Sequence, residues 1–213
     1  MKTDDFVNVL ATDVAPVTGR ELRNTIVIAL TGGVVGAFSL MLSLFGVPTG
    51  TLQRETFVPG LLALAFALGL AAVGATVLIR FARPGEPKRG PLLLVGLLFA
   101  AVFSAGMIAL ILADPAARTG MLLGPQWVAC LIYIPLFAVA PFVSLIWALR
   151  KGAPTNLVRT GACAGLVAGA LAAAVCAFHH PDSSVLFITL WYGGPILLCA
   201  LAGALLGPRL LRW

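Results

Sequence analysis

Four thiols, Cys130, Cys163, Cys176 and Cys199, and two imidazoles, His179 and His180, are the side chains of this sequence best suited to metal or redox chemistry. Thiolate and imidazole are the donors preferred by soft or borderline metals such as Zn²⁺, Cd²⁺ and Cu⁺. Cys176 and His180 stand at i and i+4, on one face of a helix if the turn continues, and Asp182 follows closely. The competing reading of each buried cysteine is a small apolar filler. His179 and His180 can equally end a helix in a headgroup region.

The elements that position these groups are set by composition. Of the 213 residues, 60% are hydrophobic and 10% charged, far from the roughly 25% charged of a soluble domain. Six stretches, about 25–46, 58–79, 91–113, 126–149, 160–178 and 185–206, carry no Asp, Glu, Lys or Arg. Each has about the 20 apolar residues a spanning helix needs. They are apolar on every side, unlike the alternating strands of a barrel. The fold class expected is an all-α integral membrane protein, a six-transmembrane-helix bundle occupying residues 25–213, behind an N-terminal segment at 1–24. The first span is too long for a signal-peptide core and reads as a retained anchor.

Orientation follows from the basic residues. With the N-terminus inside, all of the 14 Lys and Arg except Arg54 and Arg118 fall on the cytoplasmic side, as the positive-inside rule requires. Both termini are therefore expected in the cytoplasm, with the lipid bilayer as solvent. This accounts for the net charge of +6 without any nucleic acid partner. Cys130 then lies about one turn below the outer surface in the fourth helix, and Cys176, His179 and His180 sit at the outer end of the fifth. Cys163 and Cys199 lie deeper and read as packing residues.

Several functions are disfavoured. Ion-coupled transporters place ionisable groups within the membrane, and these spans offer only hydroxyls such as Thr31, Ser39, Ser104 and Ser144. Walker-type, GxSxG, HExxH and CxxC motifs are all missing, so catalysis is not expected. Small residues recur every fourth position at Gly32/Gly36, Gly161/Gly165/Gly169 and Gly203/Gly207, a spacing that lets helices approach closely. Packing within the bundle is the first reading of these glycines, and a dimer face the second. Pro135, Pro141 and the run Gly193-Gly194-Pro195 should bend the fourth and sixth helices.

The N-terminal segment has its own pattern. Asp4, Asp5 and Asp13 oppose Lys2 alone within residues 1–19, the wrong sign for a tail lying on anionic lipid. Thr3 suits a helix cap, Asp4 and Asp5 suit the positive end of the helix dipole, and Pro16 marks a stop. Phe6, Val7, Leu10, Ala11 and Val14 follow helical spacing, the pattern of a helix that lies in a partner's groove. Packing of this short amphipathic helix on the membrane surface or the bundle is the alternative.

The opening Met1-Lys2-Thr3-Asp4-Asp5, the stretch Leu149-Arg150-Lys151-Gly152-Ala153-Pro154, the segment His179 to Phe187, Trp191-Tyr192 and the ending Gly207-Pro208-Arg209-Leu210-Leu211-Arg212-Trp213 together resemble the NrsF family of membrane anti-sigma factors. The likeness spans essentially the whole chain. It implies a non-enzymatic regulator in the bacterial inner membrane that holds an extracytoplasmic-function sigma factor away from RNA polymerase until an outer-face stress releases it. It also implies that the N-terminal segment makes that contact, through Asp4, Asp5, Phe6, Val7 and Leu10.

In the family, a cysteine matching Cys130 is partnered by one directly after the histidine that matches His179; here that position is His180. The departure leaves two versions of the signal-sensing site. One is a mixed metal site of Cys130, His179 and His180, with Cys176 or Asp182 as further donors and Zn, Cd or Cu as effector rather than resident cofactor. In the other, Cys176 supplies the missing thiol. The competing function is a small transporter or channel for an uncharged or metal substrate, and a third is a passive structural subunit.

Overall fold

The computed structural model describes residues 19–46, 54–82, 90–114, 118, 127–152, 154–178 and 185–212. The N-terminal residues expected to bind the sigma factor, Asp4, Asp5, Phe6, Val7 and Leu10, lie outside this set, as do His179, His180 and Asp182. Among the described residues the secondary structure is entirely helical.

Five long helices come first: α1 (Gly19–Phe45), α2 (Arg54–Phe81), α3 (Gly90–Leu112), α4 (Trp127–Leu149) and α5 (Leu157–Ala177). A short turn at Val185–Phe187 then runs through a π-helical turn, Ile188–Tyr192, into α6 (Gly193–Leu210). Six segments among the described residues are long and apolar enough to cross a membrane. α1 starts at Gly19, ahead of the apolar run at 25, because Arg20, Glu21 and Arg23 are good helix formers that extend a helix without adding apolar length.

α5 is the centre of the bundle. Of its span window 83% is buried, against 6% for that of α3. Its sequence explains the difference, since a helix covered on every side by other helices needs short side chains. Ala and Gly supply most of α5, and its buried positions run almost without break from Ala164 to Ala177. α2, α4 and α6 pack directly on it, α1 packs mainly on α4, and α3 rests at the edge against α2 and the start of the sixth helical segment. Asn156 caps α5, its side chain accepting from the Arg159 N–H at 3.0 Å, the standard satisfaction of a free first-turn donor.

The contact between α5 and α6 is backbone on backbone. A methyl group added at Gly161 would lie 2.7 Å from Gly207 Cα and nearer still to the Gly203 carbonyl; one at Gly169 would lie 2.9 Å from Cys199 Cβ. The expected small-residue packing is thus intramolecular along this pair. In α1 the phase differs from expectation. Gly32 faces open space, whereas Gly33 meets the ring of Pro141 (Cβ at 2.8 Å) and Gly36 meets Ala140 at 3.2 Å.

α4 runs unbroken through Pro135 and Pro141. Pro141 is buried where α1 passes over it, which makes it part of an interface. In the sixth segment the irregularity precedes the proline. The Gly193 N–H bonds to Ile188 O, and the wider turn accommodates Pro195, whose ring crowds the carbonyl four residues earlier.

Candidate functional site

Cys130 lies in the first turn of α4 and Cys176 in the last turn of α5. These helices pack on each other and are joined by the short segment 150–156, so the beginning of one lies beside the end of the other. Both cysteines are buried, at 1% and 2% exposure, within one apolar cluster. All four cysteines are free thiols.

Aromatic residues gather at this end. Trp127 packs on Trp191 with ring centroids 4.9 Å apart, Phe45 meets Tyr133 edge-on at 4.7 Å, and Phe38 meets Phe178 at 6.2 Å. Edge-to-face and tilted pairs of this kind hold neighbouring elements in fixed orientation. Thiols at the same end of two packed helices are groups that an external oxidant can join as a bridge, taking up two protons and two electrons, or that can share a thiophilic metal. Among the described residues no group of three or more His, Cys, Asp or Glu stands together as a metal site. The expected set of Cys130, His179 and His180 is represented there by Cys130 alone.

Cys163 and Cys199 do not join the pair in the described clusters. Cys199 packs on Gly169 and Gly165 across the α5–α6 contact, and Cys163 is a partly buried neighbour of the core.

At the opposite end the helix termini converge. Arg150 Nε donates to Leu210 O at 2.8 Å, joining the ends of α4 and α6. A methyl group at Gly152 would touch Ala82 O at 3.1 Å and Leu22 Cδ1 at 3.4 Å, which places the end of α2 and the start of α1 at the same level. Arg20, Arg23, Arg80, Arg150, Lys151, Arg159, Arg209 and Arg212 are all exposed on these termini. The acidic residue described among them is Glu21. Lys151 Nζ sits 4.1 Å from the Trp147 ring, a cation–π contact.

Two cross-helix bonds were not legible as such in the sequence. Ser144 Oγ donates to Ala29 O at 2.8 Å, tying α4 to α1, and Thr189 Oγ1 donates to Val102 O at 3.2 Å, tying the π-helical turn to α3. Thr31 and Ser104 instead bond to carbonyls of their own helices. Composition marks all four as hydroxyls within apolar runs; only helix phase separates those that reach a neighbour.

No solved structure matches this chain. Two relatives match across the whole of both chains: a probable anti-sigma-F factor NrsF of Azospira oryzae, 31% identical over 214 residues, and the anti-sigma-F factor NrsF of Caulobacter vibrioides, 31% identical over 223 residues. The profile of the NrsF family, described as negative regulator of sigma F, covers residues 10–213, so Leu10 falls inside it while Asp4, Asp5, Phe6 and Val7 precede it. A match over nearly the full length, with two full-length relatives above 30% identity, places this chain in the NrsF family of negative regulators of sigma F.

Proposed function

We propose that this chain is an anti-sigma factor of the bacterial inner membrane, with both termini in the cytoplasm, that sequesters a sigma factor of the extracytoplasmic-function class and releases it on an outer-face stress. The relatives are named for sigma F, and the same partner is proposed here. The N-terminal segment, residues 1–24, makes the contact. Asp4 and Asp5 face the basic DNA-binding surface of the sigma factor, and Phe6, Val7 and Leu10 fill an apolar groove. The bilayer reading rests on the outward large apolar side chains, among them Val35, Leu97, Ile111, Leu112 and Leu205. A water-soluble monomer would not carry so many on every flank.

What supports the signalling half is that Cys130, in the first turn of α4, and Cys176, in the last turn of α5, are both buried in one apolar cluster where these two helices pack, at the end away from the Arg150–Leu210 contact. A thiol-reactive, oxidative or heavy-metal signal would act there, with His179 and His180 as further donors when the effector is Zn, Cd or Cu. No resident cofactor and no catalysis are proposed.

The test is co-purification of the sigma factor with detergent-solubilised full-length protein and with a version lacking residues 2–15. Binding that is lost with the segment is the expected result. No binding by the full-length protein, whether reduced, oxidised or metal-stripped, would refute the assignment.

A further inference from the structure

An apolar groove of about 290 Å³ opens between α4 and α6, with α5 as its floor. Val139 and Phe142 form one wall, Ala202 and Leu206 the other, and Gly165 and Ala168 the base. The groove exists because α5 presents only short side chains, Gly165 and Ala168, between α4 and α6. Cys199 brings the one side chain with a heteroatom to its lining, so its occupant must be hydrocarbon.

The groove also has a charged end. Phe142 is eight residues from Arg150 and Leu206 three from Arg209, or about 12 Å and 4.5 Å along the helix axes. Half of a bilayer's hydrocarbon core is about 15 Å, so a chain lying in the groove brings its headgroup level with these guanidiniums. Arg150 Nε donates to Leu210 O, which joins the ends of α4 and α6, the two walls of the groove, and Arg150 itself is exposed. Among the described residues no carboxylate pairs with Arg150, Arg209 or Arg212, and Glu21, the described acid at this end, belongs to α1. The positive-inside pattern explains basic helix ends in general. It does not account for an apolar groove whose two walls, α4 and α6, each end in one of them.

We propose that this groove binds one anionic phospholipid, with an acyl chain between α4 and α6 and its phosphate on Arg150 and Arg209. Basic pockets between helices at the cytoplasmic face are the setting in which such headgroups are held. The proposal rests on the bilayer placement above and is independent of sigma binding.

The test uses full-length protein extracted from membranes in a mild detergent and titrated with dioleoyl phosphatidylglycerol or dioleoyl phosphatidylcholine, with retained lipid counted by native mass spectrometry. Phosphatidylglycerol should be retained in preference, at one copy per chain. Arg209→Gln should lower the preference about five-fold, the equivalent of roughly 1 kcal/mol for one basic side chain at the surface. Val139→Trp, which fills the groove from an exposed position, should abolish the single retained lipid while leaving helicity and monodispersity intact. Arg80→Gln, on a helix that does not line the groove, is the control and should leave the preference unchanged. Equal effects of Arg80→Gln and Arg209→Gln, or undiminished retention by Val139→Trp, would overturn the site in favour of diffuse charge attraction. A chain found in the soluble fraction of cells would overturn both the site and the bilayer reading.

Discussion

Replacing Gly203 by alanine tests whether the α5–α6 contact holds the bundle together. The added methyl would lie 3.0 Å from Gly165 Cα and nearer to the carbonyl of Gly161, all backbone atoms that cannot rotate away. Ordinary carbon contacts sit at about 3.5–4.0 Å, so the two helices must part by roughly half an ångström to one ångström. A gap of that size forfeits a quarter to a half of each contact along the pair, at about 0.1–0.2 kcal/mol per atom pair. Overpacking at one site costs typically 1–3 kcal/mol. The better helix propensity of alanine offsets at most about 1 kcal/mol, and less in a bilayer, where the separated helices stay helical.

The net expectation is a loss of about 1–3 kcal/mol for Gly203→Ala. Gly32→Ala, at a glycine with nothing within 4 Å, should be neutral or slightly stabilising. Equilibrium unfolding of the full chain by sodium dodecyl sulfate in mixed micelles, followed by circular dichroism and tryptophan fluorescence, measures both. Stability within about 0.5 kcal/mol of wild type for Gly203→Ala would refute the backbone contact, since that is the scatter of innocuous surface changes. So would an equal loss for Gly32→Ala.

Three further outcomes follow from the geometry. Ser144→Ala removes the bond to Ala29 O and should cost about 0.6 kcal/mol, the average for cross-helix bonds in membranes, in the same unfolding assay; no change would mean that the bond contributes nothing. A trivalent arsenical, which bridges two thiols, should add once to the wild-type chain by intact mass, and should fail to bridge in Cys130→Ser and Cys176→Ser but not in Cys163→Ser. Retained bridging in either of the first two would show that Cys130 and Cys176 do not act as a pair. Alkaline phosphatase fused after Asp114 should be active and after Arg150 inactive, and the reverse pattern would invert the proposed orientation.

The six long helices were legible because hydrocarbon thickness imposes a length that few other structures share. Hydropathy marks the apolar run and not the helix, which is why α1 extends back to Gly19 through Arg20, Glu21 and Arg23. Gly161, Gly165, Gly203 and Gly207 were legible as a packing face because both partners repeat at the same spacing. Gly32 was not separable from Gly33, since adjacent residues differ only in helix phase and the partner that sets the phase, Pro141, lies on another element. The same limit hid which hydroxyls cross between helices. The central place of α5 was written in its composition, with Ala and Gly on every face instead of one stripe. The thiol pair was half legible: spacing put Cys130 and Cys176 at one level of the bundle, but only packing puts their helices side by side.

Where that pair sits bears on how a signal would travel. α5 and α6 meet largely through backbone atoms, with Cys199 the side chain set against Gly169, which leaves little between them to repack. α1 and α4 form a second close-packed pair, joined by Gly33 on Pro141, Gly36 on Ala140 and the Ser144 bond to Ala29. Cys130 belongs to the second pair and Cys176 to the first. A bridge or a shared metal would therefore act on the seam between the two, and close-packed interfaces respond to such a staple by switching arrangement rather than by gradual compression. The helix pair on the Cys130 side includes α1, whose first turn directly follows residues 1–18 in the chain. Under the proposed function, coupling from the thiol pair to the N-terminal segment would then need no relay through the proline-containing parts of the sixth helical segment. It would need the α1–α4 pair to shift against α5, with the Arg150–Leu210 bond as the far contact that would break or re-form.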